Sequence, residues 1–153
     1  MIDYRLATQK DIEALVRLRI DFLEEFQPDA CEQKTECQKL LHEYFTSAIP
    51  RSEFVAWLAE DGGKIVGTSG LSFYSIAPSL KNLTGKIAYI LNMYTIPSYR
   101  GKGIASALFE RIVGEAKNRG YKKILLHATE SGRPVYQKFG FKSTDNEMAL
   151  DLD

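Results

Sequence analysis

Tyr99-Arg100-Gly101-Lys102-Gly103-Ile104-Ala105-Ser106 joins the end of an extended run to the start of a helical one. Ahead of it, Ile87 to Thr95 is rich in β-branched and aromatic residues and stops before Pro97, which predicts a strand. Behind it, Ile104, Leu108, Ile112 and Val113 recur at helical spacing until Gly120, which predicts a helix from Gly103 to Asn118. Glycines at 101 and 103 let the backbone approach an anion with no Cβ in the way. Several N–H groups then point outward together, backed by the positive end of the helix dipole and flanked by Arg100 and Lys102, a setting suited to a diphosphate. A plain strand-to-helix turn with solvent-facing basic residues would use the same letters. Two familiar phosphate motifs do not fit. A Walker loop needs Lys after its second glycine, where Ile104 follows Gly103. A dinucleotide fingerprint expects Gly or Ala where Ser106 stands, and an acidic residue about 20 positions on, where the chain has Tyr121-Lys122-Lys123.

At the N-terminal end, Tyr4-Arg5-Leu6 reads as a short strand, and Thr8 with Asp11 forms a capping-box start for a helix. Ile12, Leu15, Val16, Phe22, Leu23 and Phe26 give that helix an apolar face up to Pro28. A second helix is predicted from Thr35 to Ser47, stopped by Pro50. Phe54 to Leu58 and Ile65 to Thr68 flank Asp61-Gly62-Gly63 as a hairpin, with the second strand continuing toward Tyr74. Beyond the glycine loop and its helix, Lys123 to Thr129 reads as a strand with His127 a satisfied buried histidine in its middle. A short helix capped by Ser131 and ended by Gly140 follows, then Phe141 to Ser143 and Met148 to Leu150 as closing strands. This order implies an α/β chain with a mixed sheet covered by helices.

At 153 residues, with 44% apolar and 26% charged residues, the expectation is one domain over 1–153. Apolar runs are too short for a membrane span, and the start MIDYRLATQKD has no signal-peptide core, so a cytoplasmic protein is expected. Cys31 and Cys37 read as two ordinary reduced thiols, and their spacing to His42 is unlike zinc patterns, so no metal is expected. Twenty basic and 20 acidic residues balance to zero, which argues against nucleic acid as a partner. The charge is uneven: residues 1–60 hold 7 basic and 12 acidic side chains, residues 100–123 hold 7 and 2. The acidic half points weakly to a cationic acceptor, and the basic stretch to a small polyanion.

Pro97-Ser98-Tyr99-Arg100-Gly101-Lys102-Gly103-Ile104-Ala105 resembles the Arg/Gln-x-x-Gly-x-Gly/Ala signature of the GNAT superfamily of N-acetyltransferases. Gly132-Arg133-Pro134-Val135-Tyr136-Gln137-Lys138-Phe139-Gly140-Phe141 resembles that family's later segment ending in Leu-Tyr-x-x-x-Gly-Phe. The resemblance covers residues 87–152 and implies a central twisted mixed sheet flanked by helices, with acetyl-CoA as cosubstrate and an amine as acceptor. It further implies that the strand before the glycine loop splays from its neighbour. The main chains of Met93, Tyr94 and Thr95 would then bond the pantetheine and thioester, and Arg100, Gly101, Lys102, Gly103, Ile104 and Ala105 would hold the pyrophosphate. Tyr136 stands where the family places the acid that protonates the departing thiolate; its other use is a ring packed under the last helix. Thr129 stands near the place of a cofactor-binding asparagine. No motif marks a base, and Glu24, Glu25, Asn92 with a water, and Tyr89 are candidates. A homodimer stays open, as do a CoA-binding module without turnover and a transferase for longer acyl groups.

Overall fold

The computed structural model describes residues 1–144 and 146–152, with only the backbone of 30 and 31. Strand β1 (Ile2–Leu6) ends at the capping box read from the sequence. Thr8 Oγ1 accepts from the Lys10 N–H at 3.2 Å, and Asp11 Oδ2 accepts from the Thr8 N–H at 2.8 Å. The box opens a 3₁₀ turn (Gln9–Asp11), and helix α1 (Ile12–Phe26) follows directly. Arg5 donates twice to Asp11, both at 2.9 Å, and once to Glu60 at 2.8 Å, tying the turn to the neighbouring strand.

These hydrogen bonds, from Arg5 first, hold the Asp11 carboxyl below its ordinary pKa. A carboxyl with a depressed folded pKa adds stability above the unfolded value near pH 4, and that stability is lost as pH falls through the folded value. Asp11→Ala should therefore lower stability by about 1–2 kcal/mol at neutral pH. Urea unfolding should show that deficit shrinking below about pH 4; a deficit independent of pH would rule out the charged form as its source.

Strands β2 (Phe54–Asp61), β3 (Lys64–Ser75), β4 (Lys86–Thr95) and β5 (Ile124–Leu126) complete a sheet of order β1-β2-β3-β4-β5. All pairs are antiparallel except β4–β5. Helix α3 (Ile104–Asn118) makes the crossover that a parallel pair requires. Helices α1 and α2 (Lys34–Ala48) cover one face, where Leu15, Leu18 and Phe45 pack with Phe54, Leu58 and Tyr94. Helix α3 covers the other, with Phe109 and Ile112 on Leu71, Ala88 and Ile90, and Leu108 on Val66. Side chains of this size contribute about 1.5–3 kcal/mol each when fully buried, so both faces anchor β4 firmly. Ser69 Oγ donates to the Leu108 carbonyl at 3.1 Å and fixes α3 on the sheet.

The sequence reading needs four corrections. The strand after α3 is only Ile124–Leu126, because its partner β4 diverges beyond Ile90. His127 therefore lies past the strand end and is exposed. Helix α4 (Arg133–Lys138) is entered through Thr129, whose Oγ1 accepts from the Gly132 N–H at 3.1 Å; Ser131 does not cap it. Phe141 to Ser143 and Met148 to Leu150 form no strand: the Phe141 N–H bonds the Tyr136 carbonyl at 3.1 Å, and Met148 and Leu150 are exposed. Apolar and β-forming residues make a strand only where an edge pairs with them. Cys37 on α2 is a free thiol, whereas the Cys31 side chain lies outside the described residues. No helix is long and apolar enough to cross a membrane, among the described residues.

Candidate active site

Strand β4 runs to Thr95, but β5 pairs with it only through Ala88↔Ile124, Tyr89↔Leu125 and Ile90↔Leu126. Past Ile90, β4 keeps β3 on one side and faces a gap on the other. The β3 ladder is also irregular there: Thr68 pairs with Tyr94 and Gly70 with Leu91, so Asn92 and Met93 together oppose Ser69. This is a β-bulge. Asn92 takes φ 58°, a left-handed conformation that costs a non-glycine residue about 1–3 kcal/mol. Its side-chain oxygen and nitrogen are both buried without a partner among the described residues, and each such orphan costs about 1–3 kcal/mol. Strain and unpaired polar atoms concentrated at one bulge are what a functional wall retains and a purely structural strand sheds.

A cleft of about 920 Å³ fills the gap. Met93, Tyr94 and Thr95 of β4 line it with Arg100 and Ala105 at the loop end, Thr129, Gly132 and Tyr136 opposite, and Arg19 and Phe22 of α1 on the far face of the sheet. Of the cofactor-binding and acid residues expected from the sequence, Gly101, Lys102, Gly103 and Ile104 do not line it; they continue the loop between Arg100 and Ala105. Gly101 and Gly103 take φ 79° and 81°, the left-handed region. Among the described residues, the N–H groups of Gly101, Lys102 and Gly103 have no protein acceptor, and those of Ile104 and Ala105 belong to the first turn of α3, which leaves its donors free. Ile104 is buried, so its backbone alone is available.

The Arg100 side chain turns away from the loop. Its Nε donates to the Thr95 carbonyl at 2.9 Å, and its fork grips Glu25 at 2.9 and 2.8 Å, with the guanidinium 5.3 Å over the Tyr94 ring. The cation left beside the glycines is Lys102, whose amine lies 4.9 Å over the Tyr99 ring. Tyr99 in turn donates to Asp61 at 2.6 Å and pins the loop to the hairpin end.

Tyr136 is half-buried. Its ring packs 5.2 Å from that of Phe109, and its hydroxyl lies so close to Gly132 that a Cβ there would meet it at 3.1 Å. Burial pushes its pKa up, so the hydroxyl keeps its proton at neutral pH. Thr129 holds its hydroxyl toward Gly132 and Ser131 while lining the cleft.

Among the candidate bases, Glu24 pairs with Lys34 at 2.6 Å and does not line the cleft. The Arg100 hydrogen bonds hold Glu25 below its ordinary pKa and leave it a poor proton acceptor. Tyr89 does line the cleft, and its hydroxyl shares a hydrogen bond with Nδ1 of His127. Burial, then the charge of Glu147, raises the Tyr89 pKa. Sequence reasoning missed His127 because it was placed inside a strand. It also missed Arg19, although a charged residue between Leu15 and Phe22 on an apolar helix stripe is a readable signal.

Compared with known proteins, residues 14–141 match the acetyltransferase (GNAT) family. Glucosamine 6-phosphate N-acetyltransferase of Trypanosoma brucei brucei is 32% identical over 90 residues, 59% of this chain and 59% of that one. N-acetyltransferase 8B of Homo sapiens is 31% identical over 91 residues, 58% of this chain and 38% of that one. The match thus spans less than two thirds of either relative's length. Among solved structures, a predicted acetyltransferase from Clostridium acetobutylicum with acetyl-CoA is 40% identical, with TM-score 0.90 over 99% of this chain and 96% of that one. A GCN5-related N-acetyltransferase from Ralstonia eutropha JMP134 is 30% identical, with TM-score 0.91 over 99% of both chains.

Proposed function

This chain belongs to the acetyltransferase (GNAT) family, and on that premise we propose that it moves the acetyl group of acetyl-CoA onto an amine by direct attack. The observation that carries this reading is the splay of β4 from β5 beside a glycine turn whose N–H groups have no acceptor among the described residues. An extended pantetheine arm would lie along Met93, Tyr94 and Thr95 as a strand lies on a sheet edge. Its diphosphate would fall to the N–H groups from Gly101 to Ala105, with the charge of Lys102 beside them. Arg100 serves by bracing Thr95 and the end of α1.

In the transfer, the amine nitrogen bonds to the thioester carbon and the carbon–sulfur bond breaks. Main-chain N–H groups at the Asn92 bulge stabilise the charge that develops on the thioester oxygen. Tyr136 gives its proton to the leaving sulfur, and the Tyr89–His127 pair takes the proton the amine loses; both are restored from solvent. A CoA-binding module would need no room beyond the thioester, whereas this cleft continues to Arg19 and Phe22 on the far face of the sheet. Longer acyl groups are disfavoured by the bulk of Met93 and Tyr94 in its wall.

Thiol release from acetyl-CoA across a panel of amines tests the transfer. Binding is tested by heat: at about 100 times its dissociation constant, acetyl-CoA should stabilise the chain by about 2.7 kcal/mol. That corresponds to a rise in Tm of roughly 5–11 °C, weakening with added salt. NAD should give none, and equal protection by NAD would remove the basis of the reading.

A further inference from the structure

Arg19 occupies the i+4 position after Leu15 and the i−3 position before Phe22, on the face of α1 that packs on the sheet. Its guanidinium lies 5.5 Å over the Phe22 ring and lines the cleft. Among the described residues, no carboxylate and no carbonyl accepts a hydrogen bond from it. Burial lowers its pKa, and the groups that act on it are Cys37 and Tyr89. Among the described residues every other full charge on the cleft wall is compensated, since Arg100 and Glu25 grip each other in a two-bond pair and no other described carboxylate lines it. Glu147, which acts on Tyr89, is exposed and does not line the cleft. The uncompensated charge of this wall is therefore that of Arg19.

A guanidinium drawn out of water without an anion is costly, and its five donors in a rigid fork suit a carboxylate or phosphate. Stacking on Phe22 holds that fork ready. The diphosphate of the cosubstrate already has donors of its own, the N–H groups from Gly101 to Ala105 with Lys102 beside them, so the anion that meets Arg19 is a different group. We propose that Arg19 binds an anionic group on the acceptor, so that the acceptor is a small amine carrying a carboxylate or a phosphate. This deepens the transferase reading and rests on it. It also replaces the cationic acceptor suggested by the acidic first 60 residues, whose carboxylates, Glu25 apart, do not line the cleft.

The test uses matched amines with the CoA-loaded protein: phosphoethanolamine against ethanolamine, and glycine against glycinamide. Calorimetry should show the phosphate or carboxylate member binding roughly 10- to 100-fold tighter than its neutral partner. Arg19→Gln should abolish that preference, Arg19→Lys should retain part of it, and neither should change CoA affinity. The pair that shows the larger ratio identifies the anion as phosphate or carboxylate. Equal binding within both pairs, or an unchanged preference in Arg19→Gln, would overturn the proposal. Turnover is read separately on the same amines. Selective binding with no acetylation would defeat the transfer reading and leave the anion site standing, whereas acetylation of the neutral members alone would do the reverse.

Discussion

Tyr136→Phe should leave acetyl-CoA affinity nearly unchanged and lower the single-turnover rate by about 10²- to 10⁴-fold, the usual contribution of a placed general acid. The substitution removes one oxygen and keeps the ring, so the contacts with Phe109 and Phe141 persist and the fold should not suffer. Because burial raises the Tyr136 pKa, the wild-type acid is in its proton-bearing form throughout the neutral range. Loss of rate through this group should therefore begin only in alkaline solution, as pH approaches the raised value, and that alkaline limb should vanish in the phenylalanine variant. Single-turnover conditions are needed because slow release of CoA would hide a change in chemistry. An unchanged rate would return Tyr136 to a packing role against Phe109.

Gly103→Val should weaken CoA binding by about 10²- to 10⁴-fold, the equivalent of two charge-assisted hydrogen bonds, while the protein stays folded. The fold survives because a Cβ at 103 meets no protein atom within 4 Å, and the same holds at Gly101. What the substitution cannot keep is φ 81°, which a β-branched side chain resists. Relaxing that angle turns the Lys102–Gly103 and Gly103–Ile104 peptide planes, and with them the N–H groups that point at the diphosphate. Thermal unfolding should record a loss of only about 1–2 kcal/mol. Calorimetry showing normal CoA affinity in this variant would put the diphosphate elsewhere.

Much of this architecture is local and legible in the amino-acid sequence. The capping box at Thr8 and Asp11, the hairpin at Gly62 and Gly63, the glycine turn before α3, and the apolar faces of α1 and α3 each depend on residues a few positions apart. Propensity and periodicity act over that range, and the order of elements then restricts the chain to a mixed sheet with helices on its faces. The closing strands were misread for the complementary reason, since a strand is completed by a partner that its own letters do not contain.

The cleft, by contrast, is assembled from residues far apart in the chain. Glu25 and Arg100 lie 75 positions apart, and their pairing removes the arginine from the glycine loop where sequence placed it. The divergence of β4 from β5, the left-handed Asn92 opposite Ser69, and the meeting of Tyr89 with His127 likewise depend on which strand lies beside which and in what register. Arg19 was visible as a charge on an apolar stripe, but whether an anion of the protein met it depended on the folded arrangement of α1 over the sheet. The sequence alone therefore determined the family, the order of elements and the loop that turns its N–H groups outward. The folded structure decided which charges are spent on one another and which remain to meet a substrate, because cancellation between charges acts through space and not along the chain.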